Sequence, residues 1–175
     1  WQEACLLSGT ALPATCSRES TKRLSTVLQT IEGTHMITAA IQQLLWSDST
    51  VRNRFATYDF GTTVEMPAIF LTEIPEGVHY PCAFIRQRGG SRYVDRGRRG
   101  WEVDIDIHLL GDKVYTDKSL HELAWDIVLA LDRKHISMDG WEEIGIEAEA
   151  PQYDLDEDGF PEYTIPVQVR VIHIE

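Results

Sequence analysis

The chain lacks the features by which disulfide-stabilised, metal-binding, catalytic and membrane proteins are usually recognised. It has three cysteines in 175 residues, Cys5, Cys16 and Cys82, which are too few and too scattered for a disulfide framework or a zinc finger. No apolar run approaches the roughly 18–20 residues that a membrane-spanning helix needs. It has no glycine-rich phosphate loop, no nucleophile elbow and no paired metalloprotease histidines. These patterns therefore give no indication of catalysis, a cofactor or a membrane.

Charge is unevenly distributed along the chain. Lys and Arg number 16 against 28 Asp and Glu, which gives a net charge of −12 and argues against a general DNA-coating protein. Residues 1–35 contain three basic and three acidic side chains, so the whole excess of negative charge comes from Met36 onward. We expect two parts: a leader over 1–35, with one possible helix over Ser17–Ile31, and a single domain over 36–175. The break suggests a boundary near Gly33, just before Met36, the first Met of the chain.

Hydrophobic periodicity predicts an α+β fold. Apolar residues at helical spacing predict a helix that begins near Met36 and a second helix over Thr116–Lys134. Alternating or β-branched runs predict strands over Ala68–Ile74, Cys82–Gln87, Trp101–Leu110, Ile144–Ala148 and Tyr163–Ile174. We interpret residues 50–67 as a loop with short extended pieces and Asp154–Gly159 as containing a turn. The order α-β-β-β-α-β-β is typical of helices packed on one face of a mainly antiparallel sheet.

A basic hairpin arm, Gly89–Gly100, is predicted between two of these strands, with Gly89-Gly90 and Gly97 favouring a flexible loop. Around it lie six of the sixteen basic residues: Arg86, Arg88, Arg92, Arg96, Arg98 and Arg99. With Asp95, residues 86–99 carry +5. Since the chain from Met36 onward carries −12, the rest of it carries −17. The arm is therefore a candidate contact with a neighbouring subunit, for which Glu142, Glu143, Glu147 and Glu149 are possible partners, or with DNA phosphates.

Three further features of the sequence are candidate sites. Asp104, Asp106 and His108 share one face of a strand and are of metal-binding type, but alternation alone produces this pattern. Asp154–Gly159 matches the first half of a calcium loop, yet Ile165 stands where a bidentate Glu is required, so we predict no tight calcium binding. Cys82 follows Pro81 in a strand, which favours a small buried residue over a nucleophile.

The order of elements from Met36 resembles the tail terminator, or tail completion, proteins of long-tailed bacteriophages and prophages. The features are the first helix, a proline-containing lead into a strand (Pro75-Glu76-Gly77 to Tyr80–Ile85), the polar arm, the alternating strand Glu102–Leu110, a helix of about sixteen residues and a terminal hairpin with an acidic turn. The resemblance covers about 140 residues and includes no diagnostic motif.

This resemblance implies a structural protein of the virion tail, assembled in the host cytoplasm, without catalytic residues or cofactors. It would form a homo-oligomeric ring, commonly a hexamer, that caps the head-proximal end of the tail tube, ends its polymerisation and meets the head-tail connector protein. DNA would pass through the lumen without sequence-specific binding. Two alternatives stay open: another phage neck or head-completion protein, and a metal-dependent hydrolase using Asp104, Asp106 and His108, with Asp154–Asp158 as possible further ligands.

Overall fold

The fold is described from a computed structural model for residues 36–61, 64–95, 98–113, 117–132, 134–136, 141–155 and 159–173. These residues belong to one compact unit, Thr34–Glu175. The possible leader helix Ser17–Ile31 lies outside the described residues, so the proposed division at Met36 stays a prediction.

Each helix and strand predicted from Met36 onward has a counterpart among the described residues, and one short helix and three short strands are additional there. The helices are α1 (36–47), α2 (Ser49–Arg52) and α3 (Asp117–Leu131). The strands are β1 (Thr57–Tyr58), β2 (Met66–Pro67), β3 (Ile69–Phe70), β4 (Cys82–Asp95), β5 (Arg98–Leu110), β6 (Trp141–Ala148), β7 (Gln152–Leu155) and β8 (Pro161–His173). The predicted α+β class is confirmed.

A six-stranded sheet organises the unit, in the order β3-β4-β5-β8-β6, with β7 also paired to β8. All of its neighbouring strands are antiparallel except β3 and β4, which run parallel. β6 and β7 lie beside successive parts of β8, which carries Ile165 opposite Ile107 of β5. The mainly antiparallel sheet is thus confirmed, with a single parallel pair at one edge.

The main hydrophobic core lies between one face of this sheet and the helices α1 and α3. On β5, Val103, Ile105, Ile107 and Leu109 are buried, whereas the residues between them are only half-buried. The predicted alternation is therefore present, and it directs one face of the strand into the core. The apolar positions of the two helices complete the same cluster: Ile37, Ile41, Leu45, Leu120, Leu123, Ile127 and Leu131.

A smaller aromatic cluster lies around the start of β4. Its buried members are Ala68, Phe70 and Cys82. The rings of Tyr58 and Phe70 meet edge to face with centroids 5.1 Å apart. The predicted strand Ala68–Ile74 is consequently wrong in length, because only Ile69 and Phe70 pair with β4. The run is apolar because its side chains enter two cores: Ile69 enters the main core, and Ala68 and Phe70 enter the aromatic cluster. Burial of this kind does not require a long strand.

Three other boundaries differ from the prediction. The segment 50–67 contains short extended pieces, as predicted, at β1 and β2. Its start belongs to α2, because the Asp48 side chain accepts hydrogen bonds from the backbone N–H groups of Thr50 and Val51 and so caps a new helical turn. Helix α3 ends at Leu131, which leaves Lys134 beyond its last turn. The first arm of the terminal hairpin is longer and is divided, since β6 and β7 pair with different parts of β8.

An ion pair connects Arg54, which follows α2, to α3. The guanidinium of Arg54 donates to a carboxylate oxygen of Asp126 at 2.5 Å and to the backbone oxygen of Ser119 at 2.7 Å. Glu122 lies further away, at 3.7 Å. The side chains of Arg54 and Asp126 are 31% and 25% exposed, so water screens this pair less than a fully exposed one.

Candidate functional site

The basic arm is a two-stranded ribbon in which β4 and β5 stay paired up to Asp95 and Arg98. The predicted flexible loop at Gly89-Gly90 is therefore wrong, since both glycines belong to β4. A β-bulge lies between Gln87 and Gly89. At Gly90, a Cβ atom would lie 2.9 Å from the backbone oxygen of Glu102. Glycine thus permits a close approach between the two strands at this point.

The arginines of the arm occupy both faces of this ribbon. Arg86 lies opposite Asp106, and an Nη atom of Arg88, beside the bulge, is 3.7 Å from a carboxylate oxygen of Asp106. Arg92 lies on the helix-side face, with its Cζ atom 4.6 Å from the centre of the Trp101 ring, a cation–π arrangement. Each of these arginines is exposed.

Arg98 and Arg99 lie near the tip and are also exposed, whereas Arg96 lies outside the described residues. The structure therefore brings five of the six predicted arginines onto one exposed ribbon. Their role as a contact with a subunit or a partner stays a prediction.

The opposite edge of the same sheet is acidic. It is formed by β6 and β7 and the residues after them, and between positions 141 and 158 the sequence has eight carboxylates and no Lys or Arg. Glu147, Glu149 and Asp154 are exposed, whereas the side chains of Glu142 and Glu143 lie outside the described residues. The sequence shows both charge groups, but only the strand order places them at the two ends of one sheet.

The residues of the hypothetical metal site lie on the polar face of β5, and protein groups surround them. A carboxylate oxygen of Asp104 accepts a hydrogen bond from the side-chain amide of Gln168 at 3.4 Å. His108 Nδ1 lies 2.5 Å from a carboxylate oxygen of Glu162, and the His108 ring stacks on Phe84 with centroids 4.4 Å apart.

One Asp106 oxygen is buried without a hydrogen-bond partner among the described residues, although Arg88 lies near it. Within the described ranges, no three His, Cys, Asp or Glu side chains are arranged to hold a metal ion. Asp104, Asp106 and His108 therefore share a face, as the alternation indicates, but the structure does not assemble them into a ligand set.

Two other candidates are only partly described or are inert. Residues 156–158 of the acidic turn lie outside the described residues. At the start of this turn, a carboxylate oxygen of Asp154 accepts a hydrogen bond from the backbone N–H of Leu155 at 2.8 Å. The absence of tight calcium binding stays a prediction. Cys82 is fully buried, and burial raises the pKa of its thiol to about 12. Its interpretation as a small buried residue is confirmed, because such a thiol is not ionised at neutral pH.

A surface patch that the sequence reasoning missed lies on the outer side of α3. Trp125 donates through its ring N–H to His121 Nε2 at 3.1 Å, and Leu129, one turn further, is 69% exposed. The His121 ring is also 5.6 Å from that of Tyr163, which lies 5.2 Å from Tyr153. The i, i+4, i+8 spacing of 121, 125 and 129 on the predicted helix could have revealed this second, outward-facing stripe.

Comparisons with known proteins are informative about the fold. No protein-family model and no curated protein matches the chain. Among solved structures, a chain of the "Virion of native gene transfer agent (GTA) particle" is similar with a TM-score of 0.58 and 15% sequence identity. The match covers 77% of this chain and 93% of that chain. At this identity it establishes a shared fold. In the described part of the chain, no helix has the length and apolarity to cross a membrane.

Proposed function

We propose that this chain is a structural, non-enzymatic protein of a phage or phage-related virus particle. The observation that carries the proposal is the fold shared with a chain of a virion, because the match extends over nearly the whole of that other chain. A shared fold alone does not define a function. The resemblance of the element order to tail terminator proteins points independently to the same class of particle.

Within that class, the proposal is a ring that caps the head-proximal end of the tail tube. A ring of identical subunits needs two different surfaces that are complementary to each other. The chain offers such a pair, since Arg92 lies on the open-edge strand β4 and Arg99 lies opposite Val94 near the tip of the same arm, whereas Glu147 and Glu149 lie on or just beyond β6 at the other edge. These surfaces support head-to-tail association into a closed ring, for which the resemblance implies six subunits.

The arm is assigned to contact with protein, and DNA would pass through the lumen without being held. Six arginines could bind phosphates, but the body of the molecule carries a large excess of negative charge that repels DNA. A lumen of this kind favours passage of DNA over a static complex. The neighbouring subunit and the tail tube protein are the proposed partners of the arm, and the head-tail connector protein is the partner of the finished ring.

The test is a tube-length assay with the tail tube protein from the same genome. Purified full chain is added to polymerising tube protein, and tubes are measured by electron microscopy. We expect shorter tubes, each with a density at one end. The comparison is a variant in which four arginines are changed to Ser: Arg92, Arg96, Arg98 and Arg99. Tubes grown with this variant should be as long as tubes grown without any added chain. Tubes of unchanged length with the unmodified chain would contradict capping. Binding to isolated heads together with no effect on tube length would favour the neck or head-completion alternative.

A further inference from the structure

The outer edge of β4 is open for most of its length. Its partner β3 pairs only with Ala83 and Phe84, and among the described strands none lies beside residues 85–95 on that side. Open edges of this length are sites at which another strand can add. The charged side chains Arg86, Arg88 and Arg92 lie along the edge and discourage two copies of it from pairing with each other.

The backbone groups that point outward from this edge can be assigned from the register. The backbone N–H of Ala83 donates to the backbone oxygen of Ala68 at 2.9 Å, so it points away from β5. Ala83 and its β5 partner Leu109 therefore form a pair without mutual hydrogen bonds. Pairs without mutual hydrogen bonds recur at every second residue of β5. Val103, Trp101 and Arg99 are three of these residues, and they lie opposite positions 90, 92 and 94 of β4. Beyond the pairing with β3, outward-facing amides are consequently expected at positions 87, 90, 92 and 94 of β4.

The other end of the sheet has complementary charge and direction. It is formed by β6, which has no strand on its far side among the described residues, and it belongs to the segment with eight carboxylates and no basic residue. Since β4, β5, β8 and β6 are antiparallel in turn, β6 runs opposite to β4. Rotation about an axis along the strands keeps these directions, so β6 of one copy meets β4 of the next as an antiparallel pair.

We propose that the open β4 edge of one copy pairs with the acidic β6 edge of a second copy, so that the sheet continues across the subunit boundary. This inference deepens the proposed ring, on which it rests, because it names the surface that closes it. The charges select the partner edge: acidic carboxylates attract the arm, whereas a second basic edge repels it. Backbone hydrogen bonds then fix the geometry, as in strand addition generally.

A charge exchange tests the choice of edge. One variant reverses the charge of the basic arm through Arg92→Glu and Arg99→Glu. The other reverses the charge of the acidic edge through Glu147→Lys and Glu149→Lys. Assembly of the full chain is measured by light scattering at about 0.1 M salt, where charges within about 10 Å still interact. Each variant alone should need at least about tenfold more protein for half-assembly, a change of about 1.4 kcal/mol. Their equimolar mixture, and the chain with all four changes, should assemble again.

The Arg92→Lys, Arg99→Lys variant is the matched control, because it keeps the charge while it alters the contact with Trp101. It should assemble as the unmodified chain does. Failure of both the mixture and the fourfold variant to assemble, with melting curves that show folded protein, would overturn the proposed pairing of edges.

A single proline substitution tests the backbone pairing itself. Val94 is 72% exposed, and its amide is expected to face away from β5, so Val94→Pro removes an outward donor without removing a bond within the arm. We expect about tenfold weaker assembly, whereas Val94→Ala, which keeps the N–H, should assemble normally. Circular dichroism checks that both variants are folded.

The outcomes separate this inference from the function on which it rests. Equal assembly of Val94→Pro and Val94→Ala, together with intact assembly of both charge variants, would overturn edge pairing and leave a ring built through another surface. An unmodified chain that stays monomeric in the same measurement overturns edge pairing. If that chain also fails to shorten tail tubes, the capping function is overturned with it.

Discussion

Ile127 is the position at which the layered fold can be tested most simply. It lies in the middle of α3 with no exposed surface, in the same core cluster as Ile105 and Ile107 of β5. Truncation to alanine removes three carbon atoms from this layer and leaves a cavity that the surrounding sheet cannot fully close. The variant Ile127→Ala should therefore be less stable while it keeps its secondary structure.

The expected size of the effect follows from the complete burial of this side chain. Buried Ile→Ala changes cost about 2–5 kcal/mol, and we expect about 3 kcal/mol here. For a folded unit of about 140 residues, that loss lowers the melting temperature by about 10 °C. Thermal unfolding followed by circular dichroism measures the shift. Ile127→Asp should be more severe and should prevent cooperative folding, because its charge has no partner in this layer.

Leu129 gives a matched control on the same helix. Its side chain is 69% exposed, so Leu129→Ala should change stability by no more than about 0.5 kcal/mol. Equal melting temperatures for Ile127→Ala and Leu129→Ala, or a soluble and cooperatively folding Ile127→Asp, would refute the packing of α3 on the sheet.

Four further outcomes are expected. Arg54→Ala should lose about 1–2 kcal/mol in urea unfolding, because Asp126 keeps a half-buried charge without its partner; no difference from the exposed Arg52→Ala would show that the ion pair is immaterial. A chain that begins at Met36 should melt within about 10 °C of the full chain, and a larger fall would assign the leader to the core. In that shorter chain Cys82 is the sole cysteine, and it should react with a thiol reagent at pH 8 only after unfolding, since burial raises its pKa to about 12; rapid reaction of the folded chain would contradict its burial. Titration calorimetry should detect no micromolar calcium binding at Asp154–Asp158, and binding that Asp156→Ala abolishes would prove this wrong.

Much of the fold could be predicted because the strongest patterns depend on local geometry. The alternation in β5 and the apolar spacing in α3 each correspond to one buried face, and such periodicity survives in any context. The strand over Ala68–Ile74 could not be judged in the same way. Its apolar residues serve two cores through tertiary contacts, and a short apolar run has no period that separates these possibilities.

The candidate surface was only half visible in the sequence. The cluster of arginines could be counted, and so could the carboxylates after Trp141. That they lie at opposite edges of one sheet depends on strand order, which is set by long-range pairing. The Gly89-Gly90 pair favours a loop in the sequence because glycine usually marks a break. At Gly90 the requirement is steric, since a side chain would meet the backbone of Glu102.

The location of the chain on assembled particles tests the central claim most directly. Tails detached from heads are labelled with a gold-conjugated antibody against this chain and viewed by electron microscopy. If the chain caps the tail, label is expected at the head-proximal end of each tail and none along the tube. Label distributed along the tube, label on the heads alone, or particles that lack the chain would contradict capping.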